Sequence, residues 1–200
     1  MQNPASFWQW FQANESRFRD IEVPEKEELL DEFMEQLHEF SDDLWFELGG
    51  HPDGPRELII TAEGNLDAFH EVRRLIGAAP LVPGWELIAF KPAHGFDFVT
   101  NYEGLTLAPE ATWFLPLESR EDPDSFGLRV AYAHFDPKQQ PKFLAATYIV
   151  LEAGLGELVT AERIHHVEVG LLPSSPEAAG YIEMRELSDY LAFRARSAGA

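Results

Sequence analysis

Two pairs of histidine and carboxylate side chains are the residues in this sequence whose types and spacing could support chemistry. The first pair is His94 and Asp97, which lie three residues apart across Gly95, close enough in sequence for a hydrogen bond. A histidine oriented by a carboxylate can act as a general acid or base near neutral pH. No serine or threonine nearby carries the signature of a nucleophile. We therefore expect a hydrogen bond that fixes the loop, with a catalytic or ligand-binding pair as the alternative.

The second pair is His166 and Glu168, in a segment predicted to be a strand. Alternate side chains of a strand share a face, so His166 and Glu168 lie together and His165 lies on the opposite face. A metal held by this pair would need a further ligand from a neighbouring strand, for which His134 is the candidate. The sequence contains no cysteine, no His-Glu-x-x-His motif, no calcium loop and no glycine-rich phosphate loop. We predict neither a metal nor a cofactor.

These candidates are positioned by a strand–strand–helix–strand unit that the sequence uses twice. The first copy runs from 44 to 92 and the second from 111 to 173, and each copy begins with an aromatic strand. Each copy ends at a proline, which cannot donate a hydrogen bond to a strand ladder. We interpret the matching order of elements as an internal duplication.

Turn-forming residues and helix caps occur at matching places in the two copies. Segments 49–55 and 121–125 are rich in the residues that close hairpins. Asn65 and Asp136 precede the predicted helices as N-caps. The pattern predicts an α+β fold with one mixed or antiparallel sheet of about six strands, with the helices packed mainly on one face.

We predict a single domain, which is consistent with the length of 200 residues. Its segments are an N-terminal helical segment (1–43), the first unit (44–92), a connector (93–110), the second unit (111–173) and a C-terminal helix and tail (174–200). Alternation of polar and apolar residues predicts a short strand over 96–99 in the connector, and a turn over 102–104 before the strand 105–107.

The N-terminal run Phe7-Trp8-Gln9-Trp10-Phe11 contains four aromatic residues in five positions. On a helix, Phe7, Trp10 and Phe11 share a face and Trp8 points elsewhere. We expect this helix to pack on the sheet through its aromatic side chains. The alternative is an exposed aromatic surface for a ligand or a partner chain.

The most acidic segment of the sequence is a predicted helix that begins near Pro24. Apolar residues recur at spacings of three and four over 29–40, which predicts that one face packs into the core. Nine carboxylates and one lysine lie within 25–43, so this segment carries −8 of the formal net charge of −20. The other face is therefore strongly acidic.

The outer face of this helix has two interpretations. It is either a solvated face or a docking surface for a basic protein, with Glu28, Asp31 and Glu35 as the candidate partner-binding residues. The excess of 35 acidic over 15 basic residues argues against nucleic-acid binding, because phosphates would be repelled. It also disfavours binding to anionic membranes.

The absence of cysteine points to a reducing compartment. The first residues lack the basic and then apolar pattern of a secretory signal, and no apolar run approaches the length of a membrane span. We expect a cytoplasmic protein.

Four stretches of the sequence together resemble an uncharacterised family of small bacterial proteins. They are the aromatic run at 7–11, Leu58 to Asn65, Gly84 to Phe90 and Gly95-Phe96-Asp97-Phe98. The resemblance covers most of the chain and implies a bacterial, cytosolic, single-domain protein. It implies no activity and no catalytic or binding residue.

Taken together, these patterns favour a non-catalytic acidic protein that binds a basic partner. The alternative is a small-molecule-binding domain or an enzyme, with a pocket near His94 and Asp97 or near His166 and Glu168. The sequence does not predict an oligomeric state.

Overall fold

The computed structural model describes residues 3–19, 24–51, 54–118 and 125–198. Within these residues the chain forms six α-helices and nine strands in mixed sheets, which confirms the predicted α+β class. The chain divides after Lys91 into two compact units. Parts of the predicted turn segments, residues 52–53 and 121–124, lie outside the described residues. The single-domain organisation stays a prediction.

Unit 1 precedes this division and contains a three-stranded sheet. Its helices are α1 (Pro4–Asn14), α2 (Lys26–His38) and α3 (Phe69–Gly77), and its strands are β1 (Trp45–Gly50), β2 (Arg56–Thr61) and β3 (Trp85–Ala89). The order of strands in the sheet is β1-β2-β3, with β1 and β2 antiparallel and β2 and β3 parallel. β1 is therefore an edge strand of this sheet.

Unit 2 contains a two-stranded hairpin and a four-stranded sheet. Its helices are α4 (Gln140–Leu155), α5 (Glu157–Arg163) and α6 (Leu187–Ala198), and its strands are β4 (Thr100–Tyr102), β5 (Leu105–Leu107), β6 (Trp113–Glu118), β7 (Phe126–Tyr132), β8 (His166–Leu171) and β9 (Ile182–Glu183). The four-stranded sheet has the order β8-β7-β6-β9. Here β6 and β7 are antiparallel and β7 and β8 are parallel.

The two units share the connectivity that the sequence predicted. In each, an antiparallel pair is followed by a helical crossover to a third strand that runs parallel to the second. The predicted caps are also confirmed: Asn65 accepts a hydrogen bond from the amide of Asp67 (3.2 Å), and Asp136 accepts one from the amide of Lys138 (3.0 Å). An evolutionary duplication stays a prediction.

The predicted single sheet of about six strands is instead three sheets of three, two and four strands. The reason is that the third strand of each unit pairs with the second strand of the same unit, so each unit forms its own open sheet. The predicted strand over 96–99 is wrong, because the strand of this region begins at Thr100. The predicted turn is present, with Glu103 and Gly104 at φ values of 46° and 81° between β4 and β5.

The aromatic side chains of α1 are buried in unit 1. The solvent-exposed fractions of Phe7, Trp8 and Phe11 are 3%, 2% and 0%. The indole Nε1 of Trp8 donates a hydrogen bond to the carbonyl of Leu75 (2.8 Å), so this ring does not point away from the core. The alternative of an exposed aromatic surface at 7–11 is therefore wrong, because three of its four rings have no free face.

The connector is fixed to the C-terminal end of α4. The amides of His94 and Gly95 donate hydrogen bonds to the carbonyls of Ala153 (2.8 Å) and Gly154 (3.1 Å). The buried ring of Phe96 lies directly over Gly154, where an added Cβ would be 2.1 Å from a ring carbon. Only a residue without a side chain fits beneath this ring.

No single helix within the described residues is long and apolar enough to cross a membrane. The helical stretch ending in α4 meets that criterion only together with α5, and the two are bent by 117° at their junction.

We expect Gly154→Ala to lower the free energy of unfolding, because the added methyl group overlaps the ring of Phe96. Overpacking of this kind costs about 1–3 kcal/mol. The matched control is Gly77→Ala at the end of α3, where nothing lies within 4 Å of the added Cβ. Chemical denaturation of both variants measures the difference, and equal stability would contradict the described contact between Phe96 and α4.

Candidate functional site

Helix α2 presents an acidic face to solvent because its apolar stripe packs inward. Phe33 and Leu37 are fully buried, and the ring of Phe33 lies 4.0 Å from that of Phe46 in β1. Contact with β1 fixes the rotation of the helix about its axis. The carboxylates on the other side of α2 are consequently directed outward.

The three candidate partner-binding residues Glu28, Asp31 and Glu35 are all exposed. Their spacing of three and four places them along one face of α2. None of the three forms an ion pair with a described residue. By contrast, Arg17 donates two hydrogen bonds to Glu32 (2.8 and 2.6 Å), and this contact lowers the pKa of that carboxyl.

Two adjoining shallow pockets, which share Asp31 and Met34, lie along α2 beside the edge strand β1, and we call them together the acidic groove. Its apolar lining consists of Leu30, Met34, Trp45, Phe46 and Leu48. Its polar lining consists of Lys26, Asp31, Glu35, His38 and Glu39. From 26 to 39 the groove extends along the thirteen residues of α2 and its C-cap, or about 20 Å at the rise of an α-helix.

Part of the apolar floor of the acidic groove is open to solvent. Trp45 is 46% exposed, although tryptophan is an amphipathic residue that usually buries most of its surface. Exposed apolar side chains bounded by polar residues are typical of surfaces that bind other proteins. The sequence predicted the acidic face of α2, but it gave no signal for the apolar floor, because Trp45 and Phe46 read only as strand residues.

The side chains of His94 and Asp97 do not interact with each other in the structure. Both are exposed in the connector, and no hydrogen bond or ion pair links the two. The predicted loop-locking bond is supplied instead by backbone amides, which donate to carbonyls of α4. A catalytic or ligand-binding role for His94 and Asp97 stays a prediction.

The structure does bring His166 and Glu168 together, on the exposed face of β8. Nε2 of His166 lies 3.2 Å from Oε1 of Glu168. The neighbouring strand β7 contributes Arg129, whose Nε and Nη2 lie 2.8 and 2.7 Å from Oε2 of the same carboxylate. Arg129 and then His166 hold the pKa of Glu168 below its ordinary value. The contact of two guanidinium nitrogens with one carboxylate oxygen identifies this cluster as a cross-strand ion pair.

His134 and His165, the two histidines considered together with this pair, do not contribute a side chain to the cluster. His134 follows the far end of β7 and contacts the ring of Phe143. It is seven residues beyond Gly127, the partner of His166, which corresponds to about 23 Å along a strand. His165 precedes β8 and accepts a hydrogen bond at Nδ1 from the amide of Phe126 (3.1 Å). Within the described residues, no three potential ligand side chains converge on a point that could hold a metal ion.

Unit 2 contains a cavity of about 650 Å³ that the sequence did not predict. Its apolar wall is formed by Phe126, Leu155, Val159 and Leu191. Its polar lining includes Glu162, Arg163, His165, Ser188 and Arg194. None of His94, Asp97, His166 and Glu168 lines it, although Ala93 and His165 are their neighbours in sequence. The volume is within the range of small-molecule pockets.

Two guanidinium groups lie at this cavity in different environments. Arg194 donates a hydrogen bond to Glu118, and its Cζ atom lies 4.6 Å from the centre of the Phe126 ring. Arg163, the last residue of α5, is exposed and forms no ion pair with a described residue. Arg163 is therefore available to bind an anionic group.

We expect the pKa of Glu168 in the folded protein to lie below that of an unpaired glutamate and to rise in Arg129→Met. A lowered folded-state pKa means that the pairing stabilises the fold above the ordinary carboxyl pKa and that this stabilisation is lost as the pH falls through the lowered value. NMR titration of the Glu168 carboxyl carbon measures the pKa directly. A pKa that is identical in the two proteins would contradict the described pairing.

No protein-family model matches the chain, and no curated protein or solved structure matches it significantly. The resemblance to an uncharacterised bacterial family stays a prediction. Conclusions about function therefore come from the geometry of the chain itself.

Proposed function

We propose that this chain is a non-catalytic interaction protein that binds a basic segment of a partner protein in the acidic groove. The observation that carries the proposal is the combination of an open apolar floor at Leu30, Met34 and Trp45 with exposed carboxylates of α2 that form no ion pair with a described residue. Apolar contact supplies affinity, and complementary charge supplies selectivity and a fast association rate.

The distribution of charge supports a basic occupant. The segment 25–43 holds nine carboxylates against one lysine, and Glu28, Asp31 and Glu35 lie on one exposed face of it. A phosphate backbone or an anionic membrane would be repelled by this face, whereas lysine and arginine side chains would be attracted. The absence of cysteine supports a cytoplasmic location for both partners.

We expect a synthetic peptide of leucine and lysine to bind the protein at low ionic strength and to bind weakly at high ionic strength. The triple variant Glu28→Gln, Asp31→Asn, Glu35→Gln should weaken this binding by about tenfold, because three exposed charge pairs are lost. Isothermal titration calorimetry provides the affinities. A peptide of leucine and glutamate is the charge-reversed control and should not bind.

The matched protein control neutralises Glu177, Glu186 and Asp189, which are exposed acids of unit 2. It removes the same three negative charges from the total of −20 and leaves the groove intact. Equal weakening by the two triple variants would show a non-specific effect of net charge and would contradict the proposed site. Trp45→Ala, which removes the exposed floor, should also weaken binding.

A second candidate function is the binding of an anionic apolar small molecule in the cavity of unit 2. The specific observation in its favour is an apolar wall of four residues next to the guanidinium of Arg163, which has no ion-pair partner among the described residues. A carboxylate joined to an aliphatic chain satisfies both features, because the chain replaces water on the wall and the carboxylate pairs with arginine.

Decanoate is the probe for this second function, and decylamine is its cationic control. We expect decanoate to raise the melting temperature of the protein and decylamine to leave it unchanged. Arg163→Gln should reduce the shift, whereas Arg196→Gln, which lies outside the cavity lining, should not. Ala195→Trp should abolish the shift by filling the cavity. Shifts that are equal in all variants would exclude this site.

A further inference from the structure

The two units differ in what lies along the outer edge of their first strand. In unit 2 this edge belongs to β6, and β9 covers it with the antiparallel pairs Trp113↔Glu183 and Phe114↔Ile182. The amide of Met184 adds a hydrogen bond to the carbonyl of Thr112 (2.9 Å). The start of the outer edge of β6 is therefore paired with a short strand of its own chain.

Among the described residues of unit 1, no strand covers the corresponding edge. β1 occupies the place of β6, and both strands begin with a tryptophan followed by a phenylalanine, Trp45-Phe46 and Trp113-Phe114. Within the described residues, β1 pairs only with β2. An edge strand with free amide and carbonyl groups is a template for pairing with another chain.

The His38 side chain occupies the first pairing position of this edge, at the carbonyl of Leu44. Leu44 precedes Trp45 as Thr112 precedes Trp113. The Leu44 carbonyl accepts a hydrogen bond from Nε2 of His38 (3.1 Å), whereas the Thr112 carbonyl accepts one from a backbone amide of the following strand. The His38 ring therefore satisfies a carbonyl that a partner strand would otherwise bind.

We propose that the basic partner binds in an extended conformation and adds an antiparallel strand to β1, as β9 adds to β6. This proposal rests on the proposed function and specifies how the partner occupies the acidic groove. The groove runs along this same edge, since Trp45, Phe46 and Leu48 of β1 line it. The partner strand takes the position next to Phe46 that Ile182 takes next to Phe114.

The pattern of β9 also specifies the sequence of the partner. Ile182 and Met184 are two residues apart, and Met184 is fully buried. Their equivalents in a partner are apolar residues at alternate positions, and the amide of the Ile182 equivalent donates to the Phe46 carbonyl, because the His38 ring already binds the Leu44 carbonyl. The intervening residues are basic, because the exposed acids of α2 border the groove. The partner segment thus alternates apolar and basic residues.

Two peptides of identical composition test this inference. One alternates leucine with lysine, and the other places leucine at spacings of three and four, as in an amphipathic helix. We expect the alternating peptide to bind at least about tenfold more tightly, because only an extended chain forms the ladder hydrogen bonds. Binding should also slow hydrogen exchange of the Phe46 amide.

N-methylation of the peptide backbone is the sharper test, because it removes amide donors and leaves charge and side chains unchanged. Methylation at the leucine positions should abolish binding, whereas methylation at the lysine positions should preserve it. Equal effects at both positions would overturn strand addition. If the helical peptide binds and depends on Glu28, Asp31 and Glu35, the proposed function stands and strand addition fails. If neither peptide binds, both proposals fail.

Discussion

The requirement that backbone amides and carbonyls find hydrogen-bond partners shapes both units of this protein. Each unit builds a small sheet in which the second strand is paired on both sides, so the first strand is left with one free edge. β9 covers that edge in unit 2. In unit 1, the His38 ring satisfies the Leu44 carbonyl at the equivalent position, and the rest of the edge borders the acidic groove. The candidate binding surface is thus a consequence of sheet topology.

The acidic face of α2 matters for binding because it lies beside this edge of β1. A solvated acidic face alone would be an ordinary feature of a soluble helix. Here the acids adjoin an apolar floor that includes the exposed Trp45, and Glu28, Asp31 and Glu35 form no ion pair within the part of the chain that the structure describes. Other charges are used internally: Glu32 is held by Arg17, and Glu168 by Arg129. The structure therefore separates carboxylates that stabilise the fold from carboxylates that remain available to a partner.

The sequence predicted the structural features that depend on local residue patterns. The caps at Asn65 and Asp136, the stripe of α2 and the turn at Glu103 follow from residue types at short spacing, and the structure contains them. Features that depend on register or on distant elements were missed. Arg129 meets Glu168 only because β7 and β8 are aligned, and the cavity of unit 2 needs α5 and α6 together. β9 is too short, at two residues, to produce a periodic signal.

The central claim is that a basic segment occupies the acidic groove between α2 and β1. The most direct measurement is NMR chemical-shift mapping of the full chain during titration with the leucine–lysine peptide. We predict that the largest amide shifts fall on α2 and β1, centred on Asp31, Met34 and Trp45. Shifts that are confined to unit 2, or spread evenly over exposed acids of both units, would contradict it.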